Sequence, residues 1–372
     1  MKQSFRGRTY IWQLQDWPGF YWDEEILRPI QERIVHLHGY LAGRMDSLGF
    51  DGSSNALLNA MSEEVMSSSE IEGVTLNPQS VRSSIARKLG IEEDGLLTED
   101  HYVDGLVDVM MDAVYNCTTP LSDERLFDWH AALFPSGRSG MYKIRVADWR
   151  KGEEPMQVVS GALGKERVHY EAPPSAQVAS EMKRFIDWYN QNDISPYLKA
   201  AISHLWFVSI HPFDDGNGRI SRTLADMSLS RLDNEPRRYF SMSAEINRNK
   251  KAYYEILEKT QKGELNINDW LIWFFNCLEK AIRRSLEVIE RTMQKNEYWH
   301  KHRKTEINER QRKVVNRLWD GFEGKLTTSK WAKICRCSQD TALRDINDLV
   351  AKGMLCKSSE GGRSSNYLLP KD

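Results

Sequence analysis

"HPFDDGNGRISR", residues 211–222, puts one histidine, two carboxylates, two arginines and a Gly-Asn-Gly turn into twelve residues. Upstream, "AISHLWFVSI" (201–210) reads as an apolar, buried helix. Downstream, "RISRTLADMSL" (219–229) reads as a second helix with Ile220, Leu224 and Met227 on one face. Gly216, Asn217 and Gly218 between them permit a tight turn, because glycine accepts backbone angles that other residues resist. The bare N–H groups of a helix start form an anion site, favoured further by the helix dipole. Arg219 and Arg222, three apart, lie on one face of the first helical turn, and the planar guanidinium suits phosphate oxygens. One of the adjacent Asp214 and Asp215 could hold a divalent cation bridging phosphates. His211, at the end of the buried helix, could take a proton from an incoming hydroxyl as a neutral imidazole. Each feature alone has an architectural explanation: a plain turn, a structural histidine before proline, solvated arginines. Together they describe a phosphate cradle, a metal carboxylate and a general base.

On either side of this stretch the chain is mostly helical. An aromatic-rich start, "YIWQLQDWPGFYW" (10–22), leads into helical spacing over residues 23–48, and "LLNAMSEEVMSSSEIEG" (57–73) reads as a helix ending at Gly73. Within it, Glu72 stands one residue before the glycine, with Ser68 four residues earlier on the same face; by itself this is a solvated helix end. "MQVVSGALGKERVHYEAPP" (156–174) carries β-branched residues around a Gly-rich turn and reads as an extended hairpin. Helices resume through "KAYYEILEKTQ" (251–261) and a long segment that turns highly charged near 290–305. From about 306, "ERQRKVVNRLW" is one helix, "TTSKWAKIC" a second capped by Thr328 or Ser329, and "SQDTALRDINDLVAKG" a third, capped by Ser338 and stopped by Gly353. A short hairpin follows. Three helices and a hairpin make a winged helix-turn-helix outline.

Composition narrows the function classes. The 372 residues, 40% apolar and 28% charged with net charge −2, describe a globular, multi-domain chain with no global pull toward nucleic acid or membrane. The average hides an asymmetry: residues 301–372 hold sixteen Lys and Arg against nine Asp and Glu, leaving −9 on the first 300. A basic tail points to an anionic partner, DNA or protein, although Asp340, Asp345 and Asp348 dilute its positive face. Gln339, Asp340, Thr341 and Arg344 would be exposed on the third helix, and Lys357 and Arg363 would lie in the wing. Five cysteines without framework spacing suggest a reducing compartment, and Cys335-Arg336-Cys337 is too tight for ordinary zinc spacing. The N-terminus has no apolar core of signal-peptide length and no apolar run reaches spanning length, so a cytoplasmic protein without membrane contact is expected.

Residues 211–222 match at every specified position the Fic family pattern His-Pro-Phe-x-(Asp/Glu)-Gly-Asn-Gly-Arg-x-x-Arg, and the chain resembles that family over roughly residues 100–280. The resemblance implies a mainly α Fic-type helical bundle with a β-hairpin flap, beside the C-terminal winged helix domain. It implies transfer of AMP from ATP to a Ser, Thr or Tyr hydroxyl of a target protein. His211 would then deprotonate the hydroxyl, and Asp215 would hold Mg²⁺ (or Mn²⁺) on the phosphates. Gly216, Asn217, Gly218, Arg219 and Arg222, with Ile220 and Ser221 inside the same stretch, would form the ATP site. The hairpin at Val158–Ala162 (Val159, Ser160, Gly161, Ala162) resembles the family's flap, which aligns the target segment by strand-like pairing. Tyr253, Tyr254 and Gln261 match places where relatives hold adenine. Ser68-x-x-x-Glu72-Gly73 resembles the family's inhibitory pattern, which implies that Glu72 pairs with Arg222 and makes ATP bind unproductively; some relatives also remove AMP with that glutamate. A homodimer is implied by the family's habit. The expected parts are an N-terminal helical module with the inhibitory helix (1–95), a catalytic domain (96–280), a linker helix (281–305) and the winged helix domain (306–372). The competing reading is a DNA-binding regulator whose Fic domain mainly senses nucleotide.

Overall fold

The computed structural model describes residues 10–91, 95, 97–161, 165–191, 194–232, 238–358 and 365–370. Two expected contact residues, Ala162 in the hairpin and Arg363 in the wing, lie outside the described residues. The chain divides into two compact units, residues 1–286 and 287–372. Among the described residues no helix is long and apolar enough to cross a membrane.

The first unit opens with α1 (Glu24–Asp46), α2 (Gly49–Ile71) and α3 (Pro78–Leu89), followed by α4 (His101–Tyr115) and α5 (Asp123–Leu133). Asn77 caps α3 with proline behind it, and Asp100 and Ser122 cap α4 and α5, so the chain's turn chemistry sets these starts. Two small antiparallel pairs come next: β1 (Arg138–Ser139) with β2 (Tyr142–Lys143), and β3 (Gln157–Ser160) with β4 (Arg167–Glu171). Then come α6 (Ser175–Asn190), α7 (Pro196–Ile210), α8 (Asn217–Leu229), α9 (Met242–Arg248) and α10 (Lys250–Gln261). The helix α7 is buried on all sides and is the axis of the unit: Ala200, Leu205, Phe207 and Ile210 are fully enclosed. It packs along α8, while α2 packs on α3, α8 and α9, and α4 on α5 and α8.

That packing differs from the expected boundary near residue 95. The α2 helix belongs to the same core as α8, so residues 10–91 do not form a unit apart from the motif. The helix expected at 281–305 falls within α11 (Asn268–Lys301), which runs across the division at Leu286 and Glu287.

The second unit holds α12 (Glu309–Trp319), α13 (Thr328–Cys335), α14 (Gln339–Ala351) and the antiparallel pair β5 (Cys356–Lys357) and β6 (Tyr367–Leu368). Val314, Val315, Trp331, Ile346 and Leu349 are fully buried and form its core. Each of its three short helices starts on a side-chain cap: Asn308 for α12, Thr327 for α13 and Ser338 for α14. The α13 cap lies one residue earlier than the Thr328 or Ser329 expected, because it is Thr327 that accepts from the Lys330 N–H. Gly353, with φ of 68°, follows α14 as expected. The carboxylates expected to dilute a positive face are mostly spent internally. Asp345 is buried and forked by Arg310 at 2.8 and 3.1 Å, while Asp348 takes Lys352 at 2.7 Å and Gln311 at 2.8 Å. Asp340 remains exposed.

Candidate active site

The motif lies in the connection between α7 and α8. His211 ends α7 in the left-handed region, φ 52° and ψ 58°, an uncommon conformation for a residue with a side chain. It is held there: its N–H donates to Phe207 O, and Arg150, itself buried, donates from Nε to His211 O at 2.7 Å and from Nη2 to Pro173 O at 2.5 Å. Nδ1 of His211 lies 3.2 Å from Val208 O, so Nδ1–H donates there and the lone pair is left on Nε2. Burial, with the Arg150 charge adding to it, pushes the His211 pKa down to about 4. The imidazole is therefore neutral and proton-accepting at neutral pH.

Asn217 closes the turn. Its Oδ1 accepts from Phe213 N and its Nδ2 donates to Phe213 O, both at 2.9 Å, while the Phe213 ring stacks on His130 at 4.1 Å. The Asn217 side chain is thus spent on shaping the loop, and only its main chain can face an anion. Gly216 must be glycine on two counts: φ is 84°, and a Cβ would come within 2.8 Å of the Phe134 ring. Asp215 is placed by Ser139 Oγ, which donates to Oδ2, and by the Gly216 N–H, which donates to Oδ1 at 2.5 Å. His130 reaches the Asp215 carbonyl at 3.1 Å. Asp214 instead accepts from the Arg145 N–H at 2.9 Å.

The two arginines line one cavity of about 30 Å³. Arg219 lies over the Phe134 ring at 4.6 Å, and its buried Nε has no partner among the described residues. Arg222 is gripped from α2: Nε donates to Ser68 Oγ at 3.0 Å, and Nη2 donates to Ser68 O at 3.0 Å and Glu72 Oε1 at 2.8 Å. Burial opposes the Arg222 charge, but Glu72 together with Tyr253 and Tyr254 outweighs it and raises its pKa. Glu72 also sits against the start of α8, where a Cβ on Gly218 would come within 2.3 Å of Oε1. A carboxylate thus lies at a helix start that has no side-chain cap of its own. Gly73, with φ of 81°, turns the chain away just beyond it. Among the described residues, Nη1 of Arg222 is buried with no hydrogen-bond partner.

Of the remaining expected contact residues, some reach this region and others do not. Ile220 and Ser221 are fully enclosed, Ser221 donating to Gly218 O at 2.9 Å, because they face the core side of α8. Tyr253 is buried with its hydroxyl 2.8 Å from His204, and Gln261 donates to Ser209 Oγ at 3.1 Å. Tyr254 is 41% exposed and donates to Ile71 O at 3.3 Å, beside Glu72. Val159, Ser160 and Gly161 lie on the exposed β3 side of the hairpin. That hairpin is tied to α10 at Glu258, which accepts from Arg167 at 2.9 Å, Lys262 at 2.5 Å and His169 Nδ1 at 2.6 Å; His169 Nε2 in turn holds Ser160 Oγ at 2.5 Å. Although burial opposes it, these donors hold the Glu258 pKa down to about 2. Ser139, Arg150, His130 and Glu258 carry no local sequence signal, since each acts across 61 to 89 residues.

The fold is shared with solved Fic-family structures. Residues 120–229 match the Fic/DOC family, and residues 10–91 match a domain of unknown function, DUF4172. The protein adenylyltransferase Fic of Nematostella vectensis is 25% identical over 274 residues, 70% of this chain and 55% of that protein. The protein of the same description from Drosophila willistoni is 34% identical over 113 residues, 30% of this chain and 21% of its own length. The chain thus spans about half, or far less, of the curated relatives it matches. Two crystal structures share the fold: a Fic family protein from Desulfovibrio desulfuricans G20 (TM-score 0.51, 18% identity, 91% of this chain and 96% of that one) and a Fic-domain signalling protein from Bacteroides thetaiotaomicron (TM-score 0.50, 20% identity, 69% and 95%).

Proposed function

We propose that the protein transfers AMP from ATP to a hydroxyl of a protein target and that Glu72 holds it in a low-activity state. The observation that carries this reading is the α7–α8 turn: a neutral His211 with its Nε2 lone pair free stands on the same loop as an uncapped helix start and two buried arginines. In the reaction, Nε2 takes the proton of the acceptor hydroxyl as its oxygen attacks the α-phosphorus. The bond to the β-phosphate oxygen breaks, and pyrophosphate leaves with its electron pair. The N–H groups of Gly216 to Gly218 and the guanidinium groups of Arg219 and Arg222 bind the phosphate oxygens. The orphaned Nη1 of Arg222 and the bare Gly218 fit an anion there.

Asp215 fits Mg²⁺ (or Mn²⁺): a hard oxygen donor whose two oxygens each keep a lone pair beyond their present bonds. When bound, the ion neutralises phosphate charge; the chain contributes one carboxylate and Ser139 orients it. The edge of β3 aligns an extended target segment, and Tyr254 is the α10 ring open to an adenine. Glu72, against Gly218 and on Arg222, competes with the terminal phosphate. For the tail, the internal pairing of Asp345 and Asp348 leaves Arg344 beside exposed Leu343 on α14, a surface for DNA or a protein partner.

The test is labelling with α-³²P-ATP and Mg²⁺. AMP incorporation by the Glu72→Gly chain is expected, with loss of about 10²-fold or more in Glu72→Gly/His211→Ala. Equal labelling of the two chains rules out the assignment of His211.

A further inference from the structure

The tie between the β3–β4 hairpin and α10 has the form of a chemical relay. Ser160 stands opposite Arg167 across the antiparallel pair. Every second residue of a strand shares a face, so Ser160, Arg167 and His169 lie on one side of the hairpin. That side turns to α10, since Arg167 and His169 both reach Glu258. Three side chains thereby stand in line: Ser160 Oγ is 2.5 Å from His169 Nε2, and His169 Nδ1 is 2.6 Å from Glu258 Oε2.

The partners fix where the hydrogens lie. Although burial opposes it, Lys262, His169 and Arg167 keep the Glu258 carboxyl ionised, and a carboxylate only accepts, so His169 Nδ1 carries a proton. A neutral imidazole protonated at Nδ1 has its lone pair on Nε2, and Ser160 Oγ–H donates to it. Nucleophile, base and orienting carboxylate in this order are what activates a serine. Exposure follows the same order: Ser160 is exposed, while the His169 and Glu258 side chains are only 25% and 19% exposed. Arg167, bound to Glu258 by one nitrogen and otherwise open to solvent, offers a cation beside any oxygen that turns negative next to Oγ.

We propose that Ser160 is a nucleophile in its own right, with His169 as its base and Glu258 as a positioning residue, and that it takes the acyl group of a carboxylic ester. Oγ bonds to the ester carbonyl carbon while its proton passes to His169 Nε2. The bond from that carbon to the alcohol oxygen breaks, the alkoxide leaves with the electron pair and takes the proton, and Ser160 is left acylated. Water, giving a proton to the same nitrogen, then releases the acid and restores the serine. Two cations, Arg167 and Lys262, flank one carboxylate here, which favours an ester that bears an anionic group. The three side chains hold no role in the proposed AMP transfer, and the step needs neither ATP nor a metal.

The experiment treats the full chain, without ATP or Mg²⁺, with a biotinylated fluorophosphonate, from whose phosphorus an activated serine oxygen displaces fluoride. Peptide mass spectrometry locates the adduct. It is expected on Ser160, forming about 10²-fold or more faster than in His169→Ala. Free imidazole restores the reaction in His169→Ala, which it would not do if His169 only tied the hairpin down. Glu258→Gln keeps an oxygen for Arg167 and Lys262 but loses the charge. There the adduct forms about tenfold or more slowly, while amide hydrogen exchange at Val168 and Tyr170 stays at the parent rate. p-Nitrophenyl acetate follows the acyl step itself, as a burst of p-nitrophenolate that Ser160→Ala lacks. Thermal melts check that each variant folds. No adduct on Ser160, an adduct that forms equally fast in His169→Ala, or a burst unchanged in Ser160→Ala overturns the proposal. Slowing in Glu258→Gln that comes only with faster exchange overturns the positioning role of Glu258.

Discussion

The start of α8 and the starts of the three short tail helices are built on opposite plans. In the tail, Asn308, Thr327 and Ser338 each bend a side-chain oxygen onto the first turn and satisfy its N–H groups locally. Their helix ends need nothing from elsewhere. At α8, Gly216 supplies no side chain, and the carboxylate that lies at the turn belongs to Glu72, about 150 residues away. A helix that caps itself gains only stability. One that borrows its anion from a distant segment can also exchange it, and donors without a partner among the described residues gather there: Arg222 Nη1 and Arg219 Nε. Local satisfaction marks a folding element, and borrowed satisfaction marks a site.

The contrast can be broken by substitution. The largest effect is expected from Glu72→Gly, which removes the borrowed anion: AMP transfer should rise about 5- to 150-fold in a labelling assay, the range for coupling between sites. An unchanged rate would mean that the contact is mere packing. Next, Gly216→Ala forces a side chain into the left-handed region and against Phe134. A loss of about 1–3 kcal/mol in a denaturant melt is expected, with transfer reduced in the Glu72→Gly background. A smaller effect concerns pH. With the His211 pKa near 4, transfer in the Glu72→Gly background at about pH 5.5 should keep most of its neutral rate. An imidazole titrating at its ordinary value of about 6.5 would instead lose roughly tenfold. Smallest is Ser338→Ala, costing about 1 kcal/mol in the melting of the tail and leaving transfer unaltered; Ser338→Gly should cost only a few tenths, roughly, since glycine tolerates a cap position.

What could be read from the chain follows the same division. Local chemistry was legible: the motif turn, the hairpin, the Ser338 cap, the Gly353 stop and the spacing of Ser68 and Glu72. Contacts made by long loops were not. Ser139 on Asp215, Arg150 on the His211 carbonyl and Glu258 beneath the hairpin each join residues far apart in sequence, and nothing in their own neighbourhood announces the partner. Side-chain directions within a matched stretch were not legible either: Ile220 and Ser221 are enclosed in the core, and Tyr253 and Gln261 bond to His204 and Ser209. The tail carboxylates erred the other way: Asp345 counts as surface charge by composition, yet it is buried beneath the Arg310 fork.

The bonds between Asn217 and Phe213 have one more consequence. Asn217 precedes Gly218, and an Asn-Gly pair is the dipeptide most open to spontaneous ageing: the glycine nitrogen attacks the side-chain carbonyl carbon, ammonia leaves and a succinimide forms. Attack requires the side chain to swing toward that nitrogen. Here Oδ1 and Nδ2 are both tied to the main chain of Phe213, and the residue begins a helix, so the swing is denied. The clamp that shapes the loop also protects it from slow self-destruction.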